Sequence, residues 1–240
     1  MSFTPAVAET LRQALATVGV VPVTPLHADG SPDWDTYAAL TRRLTDGGIT
    51  VITPNGNTGE FYALTQAEAR QVVETAARAS GGRQPRTELL AGVGHDIATA
   101  IGAAGHAREH GARMIMIHQP VHPYVSREGW VAYHAAIAGA VPDLGIVLTS
   151  GLANVSPALP LAMLDALRAN DFGAAMKIWE SVRRFEELRA DNASADNVSV
   201  VKEALAQLGL CRADVRPPSR PLPVAVKDEI RAILTGWGMR

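Results

Sequence analysis

Short apolar runs alternate with segments of helical periodicity through the first 148 residues of this 240-residue chain. The apolar runs that we interpret as strands are residues 18–23, 49–52, 88–93, 112–117 and 145–148. The segments between them, such as residues 35–44 and 97–110, carry apolar side chains at helical spacing and end at glycines. This alternation predicts a parallel α/β fold, either a doubly wound sheet or a (β/α)₈ barrel.

The pattern changes after residue 148, where only helical segments follow. They cover residues 157–169, 172–189, 198–208 and 224–234. We therefore expect two parts, a partial (β/α) barrel over residues 1–157 and a C-terminal helical region over residues 158–240.

Composition excludes several classes of function. The chain is 47% hydrophobic with a net charge of −2, and no basic cluster suits a nucleic-acid or membrane surface. Its one cysteine, Cys211, excludes an internal disulfide and a cysteine-based metal cluster. Residues 7–15 are amphipathic, but Glu9 and Arg12 interrupt them, unlike a signal peptide. We expect a cytoplasmic protein.

The loop of residues 53–61 follows the second apolar run and precedes a helix start at Thr65. Its Asn57, Thr58 and Gly59 can present backbone N–H groups and a hydroxyl at the mouth of a strand, which is how a loop holds a carboxylate or phosphate. A strand-to-helix turn that needs glycine for its backbone angles is an equally good interpretation of the loop alone.

Several motifs, taken in order, resemble the family of dihydrodipicolinate synthase and N-acetylneuraminate lyase. They are residues 20–25 with the turn at 29–30, 56–60, 92–94, 120–129, 151–157 and 216–218. The Gly59-Glu60-Phe61 form of the loop is also similar to the 5-dehydro-4-deoxyglucarate dehydratase branch.

The resemblance implies a TIM barrel in which a lysine on the sixth strand forms a Schiff base with pyruvate or a related 2-keto acid. A tyrosine at the end of the fifth strand would relay protons, and Asn57, Thr58 and Gly59 would hold the substrate carboxylate. Glu60 would be structural. No cofactor is implied, and family members usually form dimers or tetramers, so a homo-oligomer is expected.

The chain departs from this pattern after Leu148, where residues 149–151 already begin the motif of the family's last strand. The relay tyrosine and strands 6–7 have no counterpart, a deficit on the order of 60–90 residues at ~30 residues per βα unit. We therefore expect an incomplete barrel with two bare strand edges, and poor stability unless another chain completes it.

The three lysines, Lys177, Lys202 and Lys227, all fall in the helical C-terminal part. Each is expected to be a solvated lysine on an amphipathic helix, so the catalytic lysine is absent from our prediction. The first hypothesis is a lyase or dehydratase of this family that is inactive as the chain stands. The alternatives are a non-catalytic protein that binds a keto acid or assembles with relatives, and a metal-dependent lyase.

The metal-dependent alternative rests on His95, His118 and His122, which follow the third and fourth strands and could face one mouth. Only Glu60 is an obvious carboxylate there, so we expect hydrogen-bonding loop histidines and no metal. His122 stands where the family carries an aromatic pair, with Tyr124 shortly after, which weakens any specificity for lysine biosynthesis.

Overall fold

The computed structural model describes residues 5–82, 86–120, 126–146, 152–169, 171–192 and 194–239. The strands are β1 Gly19–Val20, β2 Val51–Ile52, β3 Glu88–Val93, β4 Met114–Ile117 and β5 Gly145–Ile146. The helices are α1 Pro5–Leu15, α2 Trp34–Asp46, α3 Gln66–Ser80, α4 Ile97–Glu109, α5 Arg127–Ala140, α6 Ala158–Arg168, α7 Phe172–Ala190, α8 Asn197–Gln207 and α9 Val224–Gly236. Short 3₁₀ turns occur at Asn57–Gly59, Phe61–Ala63 and Leu152–Asn154.

The five strands form one parallel sheet in the order β1-β2-β3-β4-β5. Val93 pairs with Ile117 at the carboxyl ends of β3 and β4, so the loops that follow these strands leave the sheet at one edge. The prediction of a parallel sheet with five strands is confirmed. The β1 ladder is shorter than the apolar run 18–23. Pro22 has no N–H to continue it, and on the other side the Val21 carbonyl and the Val23 N–H bond to a side chain.

That side chain belongs to Asn154, in the motif that resembles the family's last strand. The motif forms a 3₁₀ turn beside β1, where the Asn154 amide donates to the Val21 carbonyl at 2.5 Å and accepts the Val23 N–H at 3.2 Å. The guanidinium of Arg43, on α2, donates to the carbonyls of Asn154 and Val155 at 2.9 and 3.0 Å. The expectation of two bare edges is therefore wrong at β1, where an amide side chain imitates a neighbouring strand.

The opposite edge, β5, stays open within the described residues, and Ile146 is 51% exposed there. The junction between Leu148 and Thr149 lies outside the described residues.

The C-terminal helices share a hydrophobic core with α2 and with the segment that follows β1. Val23 and Leu40 pack in one cluster with Phe185 of α7, Val201 of α8 and Ile230 of α9. The boundary between residues 157 and 158 stays a prediction, although this core extends across it. Among the described helices, none combines the length and apolar character needed to cross a membrane.

Candidate functional site

The loop after β2 packs closely against the segment that follows β1. A Cβ atom at Gly56 would overlap the Val21 side chain, and one at Gly59 would lie 2.9 Å from the Pro22 carbonyl oxygen. Positive φ angles fall on Asn55 and Glu60, both at 60°, and not on these two glycines. The glycines are thus required for space between the two segments, where the sequence suggested a need for special backbone angles.

The three residues predicted to bind a carboxylate form the 3₁₀ turn at Asn57–Gly59. Its hydrogen bonds run from Gly59 N–H to Gly56 O and from Glu60 N–H to Asn57 O, both at 3.0 Å. The N–H groups of Asn57 and Thr58 are at the start of the turn, before the first N–H group that donates within it. The turn itself therefore provides no acceptor for either group. Asn57 is exposed, whereas Thr58 is buried beneath α8, and the Gly59 carbonyl accepts from the Thr24 hydroxyl at 2.8 Å.

Glu60 and Lys202 form a buried ion pair between this loop and α8. Glu60 is 6% exposed and Lys202 is 0% exposed. Lys202 Nζ donates one hydrogen bond to Glu60 Oε1 and another, at 2.7 Å, to the Asp214 carbonyl. The second oxygen of Glu60 accepts the Arg216 N–H at 2.8 Å. Burial lowers the pKa of Lys202, and the Glu60 carboxylate opposes that shift.

The prediction of a solvated lysine is therefore wrong for Lys202. It is right for Lys177, which is exposed on α7. Lys227, on α9, is intermediate in exposure and lies 3.2 Å from the Glu203 carboxylate. Lys202 escaped prediction because its partner is 142 residues away in the sequence.

Arg216, in the segment after α8, forms hydrogen bonds and an ion pair near the same loop. Its guanidinium donates to the Glu68 carboxylate at 2.7 Å, to the Gly30 carbonyl at 2.8 Å and to the Ala63 carbonyl at 2.9 Å. Glu68 also closes the capping box of α3, where its carboxylate accepts the Thr65 N–H at 2.8 Å. Arg216 lowers the pKa of Glu68 to about 2, chiefly through these side-chain hydrogen bonds.

The histidines near the strand ends act as packing and hydrogen-bonding groups. His118 is 4% exposed, its Nε2–H donates to the Asn55 carbonyl at 2.6 Å, and its ring stacks on Phe61 with centroids 4.1 Å apart. Burial lowers its pKa to about 4. His95 has φ 72° and its ring lies 4.7 Å from that of Phe61. Residues 121–125, with His122 and Tyr124, lie outside the described residues.

Within the described part of the chain, the close groups of three potential metal ligands do not include His95 or His118. A cavity of about 300 Å³ lies beside the loop, between Asn57, Tyr62 and the start of α8 at Asn197. Its volume is at the lower end of the range for small-molecule sites.

The sequence pattern of the Dihydrodipicolinate synthetase family matches residues 14–150. The chain belongs to this family. It is 38% identical over 126 residues to the 4-hydroxy-tetrahydrodipicolinate synthase of Phenylobacterium zucineum (strain HLK1). The aligned residues cover 51% of this chain and 42% of that protein. It is 34% identical over 127 residues to a probable 5-dehydro-4-deoxyglucarate dehydratase of Bradyrhizobium diazoefficiens, covering 53% and 39%. The matches thus span about two fifths of the length of these relatives.

The crystal structure of dihydrodipicolinate synthase from Oceanobacillus iheyensis is similar with a TM-score of 0.88 and 30% identity, covering 96% of this chain and 99% of that one. The chain therefore has the TIM-barrel fold of its family, represented here by a five-stranded parallel sheet with helices. The structural likeness extends well beyond the end of the family match at residue 150, which fits an internal deletion after Leu148.

Proposed function

We propose that this chain descends from a Schiff-base lyase or dehydratase acting on pyruvate or a sugar-derived 2-keto acid, and that it is inactive as it stands. It retains the loop that binds the keto-acid carboxylate. In such chemistry a protonated imine accepts electrons from the adjacent carbon, which stabilises the carbanion or enamine. The lysine must be a free amine that the substrate can reach.

The observation that carries this proposal is the placement of the three lysines, all on helices of the C-terminal part. Lys202 is fully buried, with Nζ bonded to Glu60 and to the Asp214 carbonyl. Lys177 is exposed on α7, and Lys227 is paired with Glu203. Before Lys202 could attack a keto acid, its ammonium would have to lose a proton, which would leave the Glu60 carboxylate buried without a cation and is energetically costly.

The loop supports retained binding of a small 2-keto acid. The N–H groups of Asn57 and Thr58 open a turn at the carboxyl end of β2, where successive N–H groups form a concave site for an anion. The Thr58 hydroxyl is a further donor. The family resemblance also supports a cytoplasmic homo-oligomer.

Borohydride trapping tests the loss of imine chemistry. The chain is incubated with pyruvate and sodium borohydride, and its intact mass is compared with that of a 4-hydroxy-tetrahydrodipicolinate synthase treated in parallel. We expect the synthase to gain the reduced adduct and this chain to remain unmodified. An adduct that peptide mapping places on any of the three lysines would contradict the proposal.

Calorimetric titration with pyruvate tests the loop. We expect Thr58→Val to weaken binding about tenfold or more, since it removes a hydrogen bond to a charged group. Thr235→Val, at an exposed position of α9, is the matched control and should bind as the wild type does. If the wild-type chain binds no pyruvate, retained binding is refuted.

The second candidate function is then assembly with related chains. The exposed Ile146 on the open β5 edge favours it, because an unpaired strand can pair with another chain.

A further inference from the structure

A histidine pair and a carboxylate meet between α3 and α4, in a part of the fold that the proposed function does not use. Glu74, His106 and His110 each offer one ligand atom, and these atoms all lie within 4.8 Å of one another. His106 lies in the last turn of α4 and His110, four residues later, is the C-cap of that helix, so their side chains project from the same face. Glu74 faces them from α3, and its ion-pair partner within the described part of the chain is His106, at 3.5 Å.

The orientation of both rings suits metal ligation. The His110 Nδ1 lies 2.9 Å from the His106 carbonyl; as Nδ1–H donates this bond, Nε2 keeps its lone pair for an ion. Metal-binding histidines are usually held in this way, through the ring nitrogen that does not bind the metal. The His106 side chain is 11% exposed, and its Nε2 has no hydrogen-bond partner among the described residues. A buried ring nitrogen that faces a carboxylate without a good hydrogen bond is available to bind a metal ion.

We propose that Glu74, His106 and His110 bind one transition-metal ion, of which Zn²⁺ fits best. Zn²⁺ takes two imidazole nitrogens and a carboxylate oxygen at about 2.0–2.2 Å, with water as the fourth ligand. Ligand atoms on one tetrahedral ion are about 3.4 Å apart at such bond lengths, and the 3.5 Å between His106 Nε2 and Glu74 Oε1 already matches. The half-buried His110 ring closes the remaining separation by a small rotation.

A metal ion bound at this site would cross-link α3 and the C-terminal end of α4. Both histidines are at the C-terminal end of α4, in its last turn and at its C-cap, whereas the loops of the strand mouth precede the first turn of that helix. A metal here would therefore stabilise the packing of α3 on α4 without touching the keto-acid loop. His110 also lines a cavity of about 360 Å³ near the C-terminal end of α3.

Titration of tag-free, chelator-treated protein with Zn²⁺ and with Co²⁺ tests the proposal. We expect one Zn²⁺ per chain by calorimetry, a higher unfolding temperature with Zn²⁺, and the strong visible absorption of four-coordinate Co²⁺. Glu74→Gln and His110→Gln should each weaken binding by roughly tenfold or more. His110 is half-buried, so its variant keeps the test valid even if a change at the more buried His106 prevents folding.

His134→Gln is the matched control. His134 Nδ1 contacts the Trp130 carbonyl at 2.8 Å, one turn earlier on α5, in the same arrangement as His110 on α4, but no carboxylate completes a group there among the described residues. The control should bind Zn²⁺ as the wild type does. Absence of a Zn²⁺ complex, or equal Zn²⁺ affinity in Glu74→Gln, His110→Gln and the wild type, would overturn the proposal.

Discussion

A neutral, buried histidine shapes the strand mouth at the scale of single residues. His118 holds the Asn55 carbonyl in place, and Gly92 leaves room for both, because a Cβ atom at Gly92 would overlap that carbonyl and lie 2.8 Å from His118 Nε2. Phe61 covers the other face of the imidazole. Protonation of His118 would place a charge in this packed environment, which explains the direction of its pKa.

We predict that His118 makes the fold sensitive to mild acid. Its pKa falls from 6.5 to about 4 on folding. The unfolded chain therefore takes up a proton in this window that the folded chain excludes. The free energy of unfolding should be fully maintained above pH 6.5 and decrease by on the order of 2–4 kcal/mol as the pH falls from 6.5 to 4.

Urea unfolding at several pH values measures this loss. His118→Gln keeps an N–H donor for the Asn55 carbonyl but does not titrate, so its stability should depend less on pH. A partly exposed histidine, His134, supplies the control His134→Gln, which should keep the wild-type dependence. Equal dependence in all three proteins would show that His118 is not the group responsible.

Local sequence was enough to propose Asn57, Thr58 and Gly59 as a carboxylate site, because they are neighbours in the chain, and this assignment stays a prediction. The sequence also carried a signal for the burial of Lys202 that our prediction did not use. Val198 and Leu205 lie one turn before and after Lys202 on the same face of α8, and a lysine between them faces the core. A buried lysine requires a carboxylate, but the identity of Glu60 as that partner depends on tertiary structure.

At the scale of elements, α8 and the tail that follows it fix the loop after β2. The Glu60–Lys202 pair and the Arg216 contacts join parts of the chain that are far apart in sequence. The helices themselves were predictable to within a few residues, since caps such as Thr65 and glycines mark their ends. The lengths of the strands were not predictable, because the pairing of β1 depends on tertiary contacts with neighbouring segments.

We predict that Lys202→Met destabilises the fold by about 3–5 kcal/mol, because it leaves the Glu60 carboxylate buried without a cation. Adding Glu60→Gln to this variant should recover part of the loss, since the unpaired charge is then removed. Lys177→Met, at an exposed site on α7, should change the free energy of unfolding by less than about 0.5 kcal/mol. Chemical denaturation of the four proteins measures these differences. A loss in Lys202→Met no larger than in Lys177→Met would refute the structural role of the pair.

At the scale of the whole molecule, the sheet keeps one protected edge and one open edge. The overall class of fold followed from strand–helix alternation, and the likeness to solved relatives agrees with it. The protection of β1 could not be predicted from periodicity, because among the described residues it comes from a 3₁₀ turn and a side-chain amide instead of a strand.

We predict that Asn154→Val lowers the free energy of unfolding by about 2–6 kcal/mol. The substitution removes both amide hydrogen bonds and leaves the Val21 carbonyl and the Val23 N–H unsatisfied in a buried position, at about 1–3 kcal/mol each. Thermal and urea unfolding measure the effect, with Asn57→Ala as an exposed asparagine for comparison. A stability equal to that of the comparison variant would mean that the amide does not protect this edge.

The Glu60–Lys202 pair also has a consequence for biosynthesis. A ribosome makes the chain from its N-terminus, and Glu60 emerges 142 residues before Lys202. The loop after β2 therefore leaves the ribosome with an uncompensated carboxylate, which stays hydrated until α8 is made. The most recognisable motif of the first half acquires its final form only after α8 has been translated.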